Sequence, residues 1–412
     1  MNIGIIGSGV TGITTADALL CRGHSVTVFE RHPYAAMETS FANGGQLSAS
    51  NAEVWNSWST VAKGLKWMFR QDAPLLMNMK PSWHKYSWLG EFMAAIPNYR
   101  NNTAKTVKLA LAARQHLFDI AERENLEFNL EKKGILHFYR DEKSFRVAET
   151  VNKLLNESGL ERHAVTPDEI KAIEPTLHGT FFGGFYTPSD ATGDIHKFSV
   201  GLAAACQRRE ATFLTQASVS NVKNRGGKVH VQFTRGDADS GKIEEQSFDR
   251  VIVCAGVASR RFAAMNGDHI NVYPVKGYSI TVHLDDEISQ TASPRVSLLD
   301  DAAKIVTSRL GVDRFRVAGT AEFNGANLDI RAERIKPLIE WSRRLFPDMS
   351  TRRTVPWAGL RPMMPNMMPT VKESRAPGIF YNTGHGHLGW TLSAVTAQLV
   401  ADAIDSSEAR RS

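Results

Sequence analysis

The chain has 412 residues, of which 42% are hydrophobic and 22% charged. That composition excludes disorder and leaves room for two domains of roughly 150–250 residues. The formal charge is +6, and because no apolar run reaches the roughly 18 residues needed to span a bilayer, no transmembrane helix is expected.

The N-terminus is apolar but lacks the basic residues of a signal peptide, so secretion is not expected. Residues 2–6 read as a buried strand, 10–21 as a helix stopped at Gly23, and 25–30 as a second strand, which together make a βαβ unit. Between the first strand and the helix, Gly7-Ser8-Gly9-Val10-Thr11-Gly12 matches G-x-G-x-x-G. Gly7 permits the tight turn, Gly9 lets backbone approach a pyrophosphate, and Gly12 allows close helix-to-strand packing. The phosphates would sit at the helix N-terminus beside Val10, where unpaired N–H groups and the dipole favour an anion.

Glu30 ends the second strand about twenty residues on, where its carboxylate can accept bonds from ribose hydroxyls and would oppose a 2'-phosphate. Arg31 beside it is a further cofactor contact. FAD or NAD is therefore expected rather than NADP. The small and polar stretch from Glu38 to Gln46 favours FAD, because Ser40, Asn43, Gly44, Gly45 and Gln46 can wrap backbone amides around a pyrophosphate and an isoalloxazine edge.

Residues 51–110 carry eight Lys/Arg against three acidic residues, a surplus of five, and hold five of the eight tryptophans. Val61, Leu65, Met68 and Phe69 fall at helical spacing opposite Lys63, Lys66 and Arg70. Such a helix could lie in an anionic membrane surface or pack on its own domain. The charge has no nucleic-acid-binding module to accompany it, so nucleic acid is not an expected partner. Residues 51–130 are helix-rich, most clearly over 103–126, and 134–190 mix short strands with a helix.

From 196 to 256 the nucleotide-domain pattern returns: a helix, a strand around Val219, a turn at 224–227, and a buried strand ending near Ala255 and Gly256, which should pass close to the dinucleotide. Residues 271–330 alternate as strands, 331–346 read as a helix, and a final helix runs from 392 to 404. The three cysteines, Cys21, Cys206 and Cys254, lie far apart in segments that read as helix or buried strand. They read as small buried hydrophobes of a reducing compartment, with neither a disulfide framework nor a metal site.

Six segments in order, GIIGSGVTGI, ETSFANGGQLSAS, KWMFRQDAPL, YPVKGYSITV, WAGLRPMMP and NTGHGHLGWT, closely resemble the bacterial D-amino-acid dehydrogenase small-subunit family. That family belongs to the larger group containing glycine oxidase, sarcosine oxidase and D-amino-acid oxidase, and the similarity runs over essentially the whole chain. It implies a flavoprotein that oxidises a D-amino acid to an imine, hydrolysed to a 2-oxo acid and ammonia. Electrons would pass from FAD to a respiratory acceptor, often a quinone, at the inner face of a bacterial membrane. A cyclic imino acid such as hydroxy-D-proline is an alternative substrate, and a non-catalytic flavin-binding subunit of a membrane complex is a further alternative.

An amino-acid site needs a fixed cation for the carboxylate. Arg361 is the candidate by pattern and by resemblance, since Arg can hold both carboxylate oxygens. Tyr278 could donate its hydroxyl to the same carboxylate or be a buried tyrosine bonded to backbone. The turn Gly384-His385-Gly386-His387-Leu388-Gly389 leads into the last helix, whose positive end can face the flavin pyrimidine ring and stabilise negative charge there. His385 or His387 could instead act as a base. The family commonly has Thr-Pro-Asp after its Arg-Pro pair and Thr after Gly-His-Gly. Met364, Asn366 and His387 stand at departures from those patterns, which implies a shifted substrate preference or flavin potential.

The fold class expected is α/β. A Rossmann-type FAD-binding domain (1–60, 191–265 and 350–412) is joined to an α+β substrate domain with a largely antiparallel sheet (61–190 and 266–349), both discontinuous in sequence.

Overall fold

The computed structural model describes residues 1–67, 74–236 and 242–409. The strands Asn2–Ile6 and Ser25–Phe29 pair in parallel, flanking the helix Val10–Cys21. Both strands are buried after their first residue, as strands covered by helices must be. They sit within a six-stranded sheet whose order is Thr370–Glu373, Ile379–Thr383, Arg250–Val253, Asn2–Ile6, Ser25–Phe29, Thr212–Leu214. Its pairs are parallel except for the edge pair Thr370–Glu373 with Ile379–Thr383. The helices Ile195–Arg208 and Gly389–Ala409 pack beside Val10–Cys21 in one apolar cluster that includes Ile3, Ile13, Phe198 and Trp390.

Ala217–Arg225, Lys228–Arg235 and Ile243–Phe248 form a separate three-stranded sheet, with the Gly226-Gly227 turn where the sequence places it. Phe233 and Phe248 from this sheet meet Phe29 at ring distances of 5.0 and 5.7 Å, which seats it on the parallel sheet.

The larger sheet has nine strands and is antiparallel except where Ser297–Asp300 meets Ile135–Tyr139 and Arg314–Phe323 meets Leu75–Met77. The helix Ala332–Leu345 covers one face through Leu338, Trp341 and Leu345.

Two expectations about the division of the chain need correction. The strand Thr354–Met363 pairs along Tyr273–His283 in the nine-stranded sheet, so the segment from 350 does not return directly to the nucleotide sheet. The helix Tyr99–Arg123, expected with the substrate segment, buries Leu117, Ile120 and Ala121 in the cluster of the parallel sheet. In both cases the apolar face finds its partner in space rather than in neighbouring sequence.

The last helix starts at Gly389, three residues before the expected Leu392, after a 3-10 turn at Gly386–Leu388. Residues 134–190 hold two helices, Glu142–Glu157 and Pro167–Ile173, where one was expected. Cys206 and Cys254 are buried, but Cys21, the last residue of its helix, is exposed and accepts a bond from Arg209.

In the basic segment a helix runs from Trp58 to Trp67, while Met68, Phe69 and Arg70 lie outside the described residues. Lys85 is not a surface charge: it is buried, with its ammonium on the carbonyls of Asn78 and Lys80. No helix among the described residues is long and apolar enough to cross a membrane.

Candidate active site

One cavity of about 910 Å³ runs between the two large sheets, and every residue expected from the sequence to hold cofactor or substrate, except Gly12, lines it. Gly12 acts one layer behind. A Cβ on it would fall 1.9 Å from the Gly7 carbonyl oxygen, so only glycine lets the helix Val10–Cys21 approach the turn. At this end Ser40 Oγ accepts a bond from the Val10 amide at 3.0 Å, tying the 38–46 segment to the helix N-terminus. Glu30 accepts from the Ser8 amide at 3.1 Å and from the His32 amide at 2.8 Å, which aims its carboxylate at the turn.

Arg31 pairs with Glu38 at the rim, and His32 lies 2.8 Å from the same carboxylate. Burial raises the Glu38 carboxyl, but the His32 hydrogen bond first and the Arg31 charge after it outweigh that and hold it below its usual range. Val219 lies where its strand bulges, with its carbonyl accepting from Arg261 at 2.7 Å. Ala255 and Gly256 follow the central strand Arg250–Val253, and Gly256 takes a positive φ of 52°.

The 43–46 stretch is clamped onto the nine-stranded sheet. Arg316 and Ser308 donate to the carbonyls of Asn43 and Gly44 at 3.1 and 2.7 Å, and Gln46 Nε2 reaches Ser297 Oγ at 2.8 Å. Asn43 Oδ1 accepts the Gly45 amide at 2.9 Å.

The far end of the cavity is built on the paired strands Tyr273–His283 and Thr354–Met363. Their register sets Gly277 opposite Gly359 and Val275 opposite Arg361, so these four share one face. The Arg361 guanidinium lies across Gly277, where a Cβ would meet Nη1 at 2.3 Å. It donates to the Thr320 carbonyl at 3.3 Å, and among the described residues it forms no ion pair. Burial pushes its pKa down to about 10, which leaves it charged at neutral pH. A guanidinium held over a glycine, charged and without a carboxylate, is prepared for an anion brought by a ligand.

Tyr278 does not share that role. It alternates to the opposite face, joins the core beneath the helix Ala332–Leu345, and donates its hydroxyl to Glu322 at 2.8 Å. Glu322 is also paired with Lys276 at 3.0 Å and with Arg331. The expected carboxylate contact therefore gives way to a buried network behind the strand.

The glycine-rich turn completes the site. The His385 ring turns inward to Thr396 Oγ1 at 2.9 Å, which removes it as a base in the cavity. His387 stacks on Trp55 at 4.7 Å, places Nε2 3.2 Å from the Asn51 carbonyl, and leaves Nδ1 without a partner. Burial pushes both imidazoles down to about 4, and in His387 the charge of Arg361 adds to it, so both are neutral at pH 7. Asn366 is exposed and caps the Met368 amide outside the cavity, and the Met364 side chain packs on Gly384. Neither family departure at these two positions brings a new polar group into the site; His387 does.

Several lining residues were not singled out from sequence. Thr39 bonds the Leu360 carbonyl at 2.8 Å, and Ser50 Oγ lies 3.0 Å from His137 Nε2. Asn51, Glu53, Trp55, Arg162 and Trp357 also face the cavity. Ser48 and Ser50 stood within the ETSFANGGQLSAS segment and could have been read there. His137 and Arg162 have no motif around them. Among the described residues no group of His, Cys, Asp or Glu could hold a metal ion.

Residues 2–403 match the FAD dependent oxidoreductase (DAO) family. The chain belongs to that family. D-amino acid dehydrogenase 3 of Mesorhizobium japonicum is 60% identical over 97% of this chain and 96% of its own length. D-amino acid dehydrogenase of Dechloromonas aromatica is 38% identical over 98% and 97%. Glycine oxidase from Geobacillus kaustophilus shares the fold, with a TM-score of 0.76 at 19% identity over 98% of this chain and 94% of that one. FAD is thus the family's cofactor, and the residues fit it. The glycine turn and helix N-terminus suit a pyrophosphate, Glu30 suits a ribose, and the second helix N-terminus at Gly389 suits the flavin ring.

Proposed function

We propose that this chain is an FAD-dependent dehydrogenase that oxidises a D-amino acid to its imine, which water hydrolyses to a 2-oxo acid and ammonia. The observation that carries the reading is the charged, unpaired Arg361 guanidinium laid over Gly277 on the cavity wall. The relatives' names as D-amino acid dehydrogenases support the substrate's handedness.

Arg361 fixes the α-carboxylate through a bidentate contact, which sets the Cα–H bond at one place in the cavity. Bound FAD supplies the two-electron acceptor for that bond. The neutral His387 ring lines the cavity stacked on Trp55, with Nδ1 unpartnered, and adds no positive charge that would repel the substrate's ammonium group. The amine must be neutral when Cα–H is broken, so its proton leaves to solvent or a neighbouring base first. The N-terminus of Gly389–Ala409 would hold the flavin's ring edge, where its positive end favours negative charge. A respiratory acceptor such as a quinone would take the electrons.

Anaerobic bleaching of the bound flavin by D-amino acids, with L-amino acids and hydroxyprolines alongside, tests this. Bleaching by several D-forms and not their L-forms is expected. Bleaching only by hydroxy-D-proline would move the reading to a cyclic imino acid, and no bleaching by any of them would remove it.

We further propose that the described segments 58–67 and 74–94 rest on an anionic membrane surface. Trp58 and Trp83 are 67% and 82% exposed, with Met79 and Tyr86 also exposed, around an apolar cluster formed by Val61, Leu75, Met77, Trp88 and Leu89. Large aromatics left in water, with the exposed Lys80 next to Met79, suit a headgroup layer. Flotation with vesicles containing phosphatidylglycerol is expected to carry the protein. Flotation unchanged by Trp58→Ser with Trp83→Ser would remove the proposal.

A further inference from the structure

Besides the Arg361 face, the cavity is lined by Arg162, Tyr139, His137 and Glu53, and Val147 and Lys304 bring that part of it to solvent. Arg162 precedes the strand His163–Val165 and is 4% exposed, with its guanidinium carbon 4.8 Å over the Phe185 ring. Its Nε is buried with no partner. The Tyr139 hydroxyl is its hydrogen-bonding neighbour, and burial pushes that phenol up to about 12, so the neighbour is neutral.

Each nearby carboxyl is occupied elsewhere. Glu53 accepts the Tyr99 hydroxyl at 2.6 Å, and burial raises its pKa toward the neutral form. Asp190 accepts the Ala49 and Ser50 amides at 3.0 Å each and lies 3.3 Å from Arg114. Asp301 pairs with Lys304. Arg162 forms no ion pair among the described residues. His137, on the same wall, is kept neutral by burial first and then by the charges of Arg162 and Lys304.

A guanidinium taken out of water without an anion is costly, and in a wall open to a substrate cavity the cost is offset when a ligand brings the charge. A neutral quinone offers only carbonyl oxygens. A carboxylate offers charge and a matching planar fork, and both amino acids and 2-oxo acids carry one.

We propose that Arg162 forms a second carboxylate-binding subsite in the cavity, separate from Arg361. Two sources of that group fit the chemistry: the side-chain carboxylate of an acidic amino acid whose α-carboxylate is on Arg361, or the carboxylate of a second molecule on its way in or out. The class of molecule rests on the proposed amino-acid oxidation; the subsite itself rests on Arg162.

Calorimetric titration of the holoenzyme with succinate, succinamate and propionate tests it without turnover. In the bridging case wild type binds succinate at least tenfold more tightly than succinamate, and Arg162→Gln abolishes the preference while succinamate affinity stays within threefold. In the second-molecule case wild type binds two propionates per chain and Arg162→Gln binds one. Equal affinity for succinate and succinamate together with one propionate in wild type overturns the subsite, whatever the variants do. So does a preference or a second propionate that survives Arg162→Gln. If that variant does not hold flavin, Arg162→Lys takes its place: its non-planar ammonium is expected to weaken the preference or the second propionate at least threefold, and an unchanged value overturns the subsite.

The proposed reaction fails separately. A chain that binds succinate in this way but is reduced by no D-amino acid loses the reaction and keeps the subsite. One that oxidises D-alanine without either carboxylate signature keeps the reaction and loses the subsite.

Discussion

At the Gly7–Gly12 end of the cavity the lining comes from one short run of glycine-rich chain, whereas at the Arg361 end it is gathered from distant segments, such as the His387 ring and the Asn51 carbonyl, 336 positions apart. The first end needs only a strand, a turn and a helix that are neighbours in sequence, and its selectivity comes from backbone N–H groups and space left by absent side chains. The second depends on strand register, because Arg361 lies over Gly277 only when Val275 and Gly277 stand opposite Arg361 and Gly359. Substitutions should therefore fail differently at the two ends.

The largest expected effect is at Arg361. Arg361→Ala should lower kcat/KM for a D-amino acid by roughly a thousandfold, in the range for removing one member of a buried charge pair, with bound FAD unchanged. Steady-state kinetics alongside flavin content measures both; a fall in both together would erase the contrast between the ends. The converse is expected at Gly12. Gly12→Ala puts a carbon where the Gly7 carbonyl stands, and FAD retention and melting temperature should both fall, with roughly tenfold weaker flavin binding or more. Turnover per bound flavin should stay near wild type.

A smaller effect sharpens the picture of the two strand faces. Tyr278→Phe removes one of the groups on Glu322 and leaves Lys276 and Arg331, so it should cost about 1–2 kcal/mol in chemical denaturation. Its kcat/KM should change by less than about twofold, and a large loss would return Tyr278 to the reacting face.

The smallest effect is a pH dependence of stability. His385 and His387 have folded pKa values near 4, below the ordinary 6.5, so the unfolded chain binds more protons between those values. Their stabilising contribution is complete above about pH 6.5 and is lost as pH falls toward about 4. Melting temperature followed over that window should decline on acidification, and His387→Gln should make the decline shallower.

The sequence made the nucleotide end legible because every signal there is local. The period of residues 2–6 and 25–30, the glycine spacing and Glu30 lie within about thirty residues, and the structure has them as read. Arg361 was legible by pattern, since its neighbours in WAGLRPMMP mark it, and the structure lays its guanidinium over Gly277 on the cavity wall. Tyr278 was not legible. Successive strand residues face opposite ways, and nothing within YPVKGYSITV says which face the cavity takes. Arg162 and His137 were invisible for a related reason: each is a lone polar residue among apolar ones, and only the packing of separate strands and helices turns both toward one space.

By itself, then, the sequence determined the parallel dinucleotide unit, the family and the cofactor, because these rest on contacts between near neighbours and on several motifs in fixed order. The tertiary structure alone decided that Thr354–Met363 joins the nine-stranded sheet, that Arg361 lies over Gly277 while Tyr278 turns away, and that Arg162 stands uncompensated in the same cavity. Strand register and long-range packing set which face a side chain takes and which charges it meets, and neither is written in any one segment.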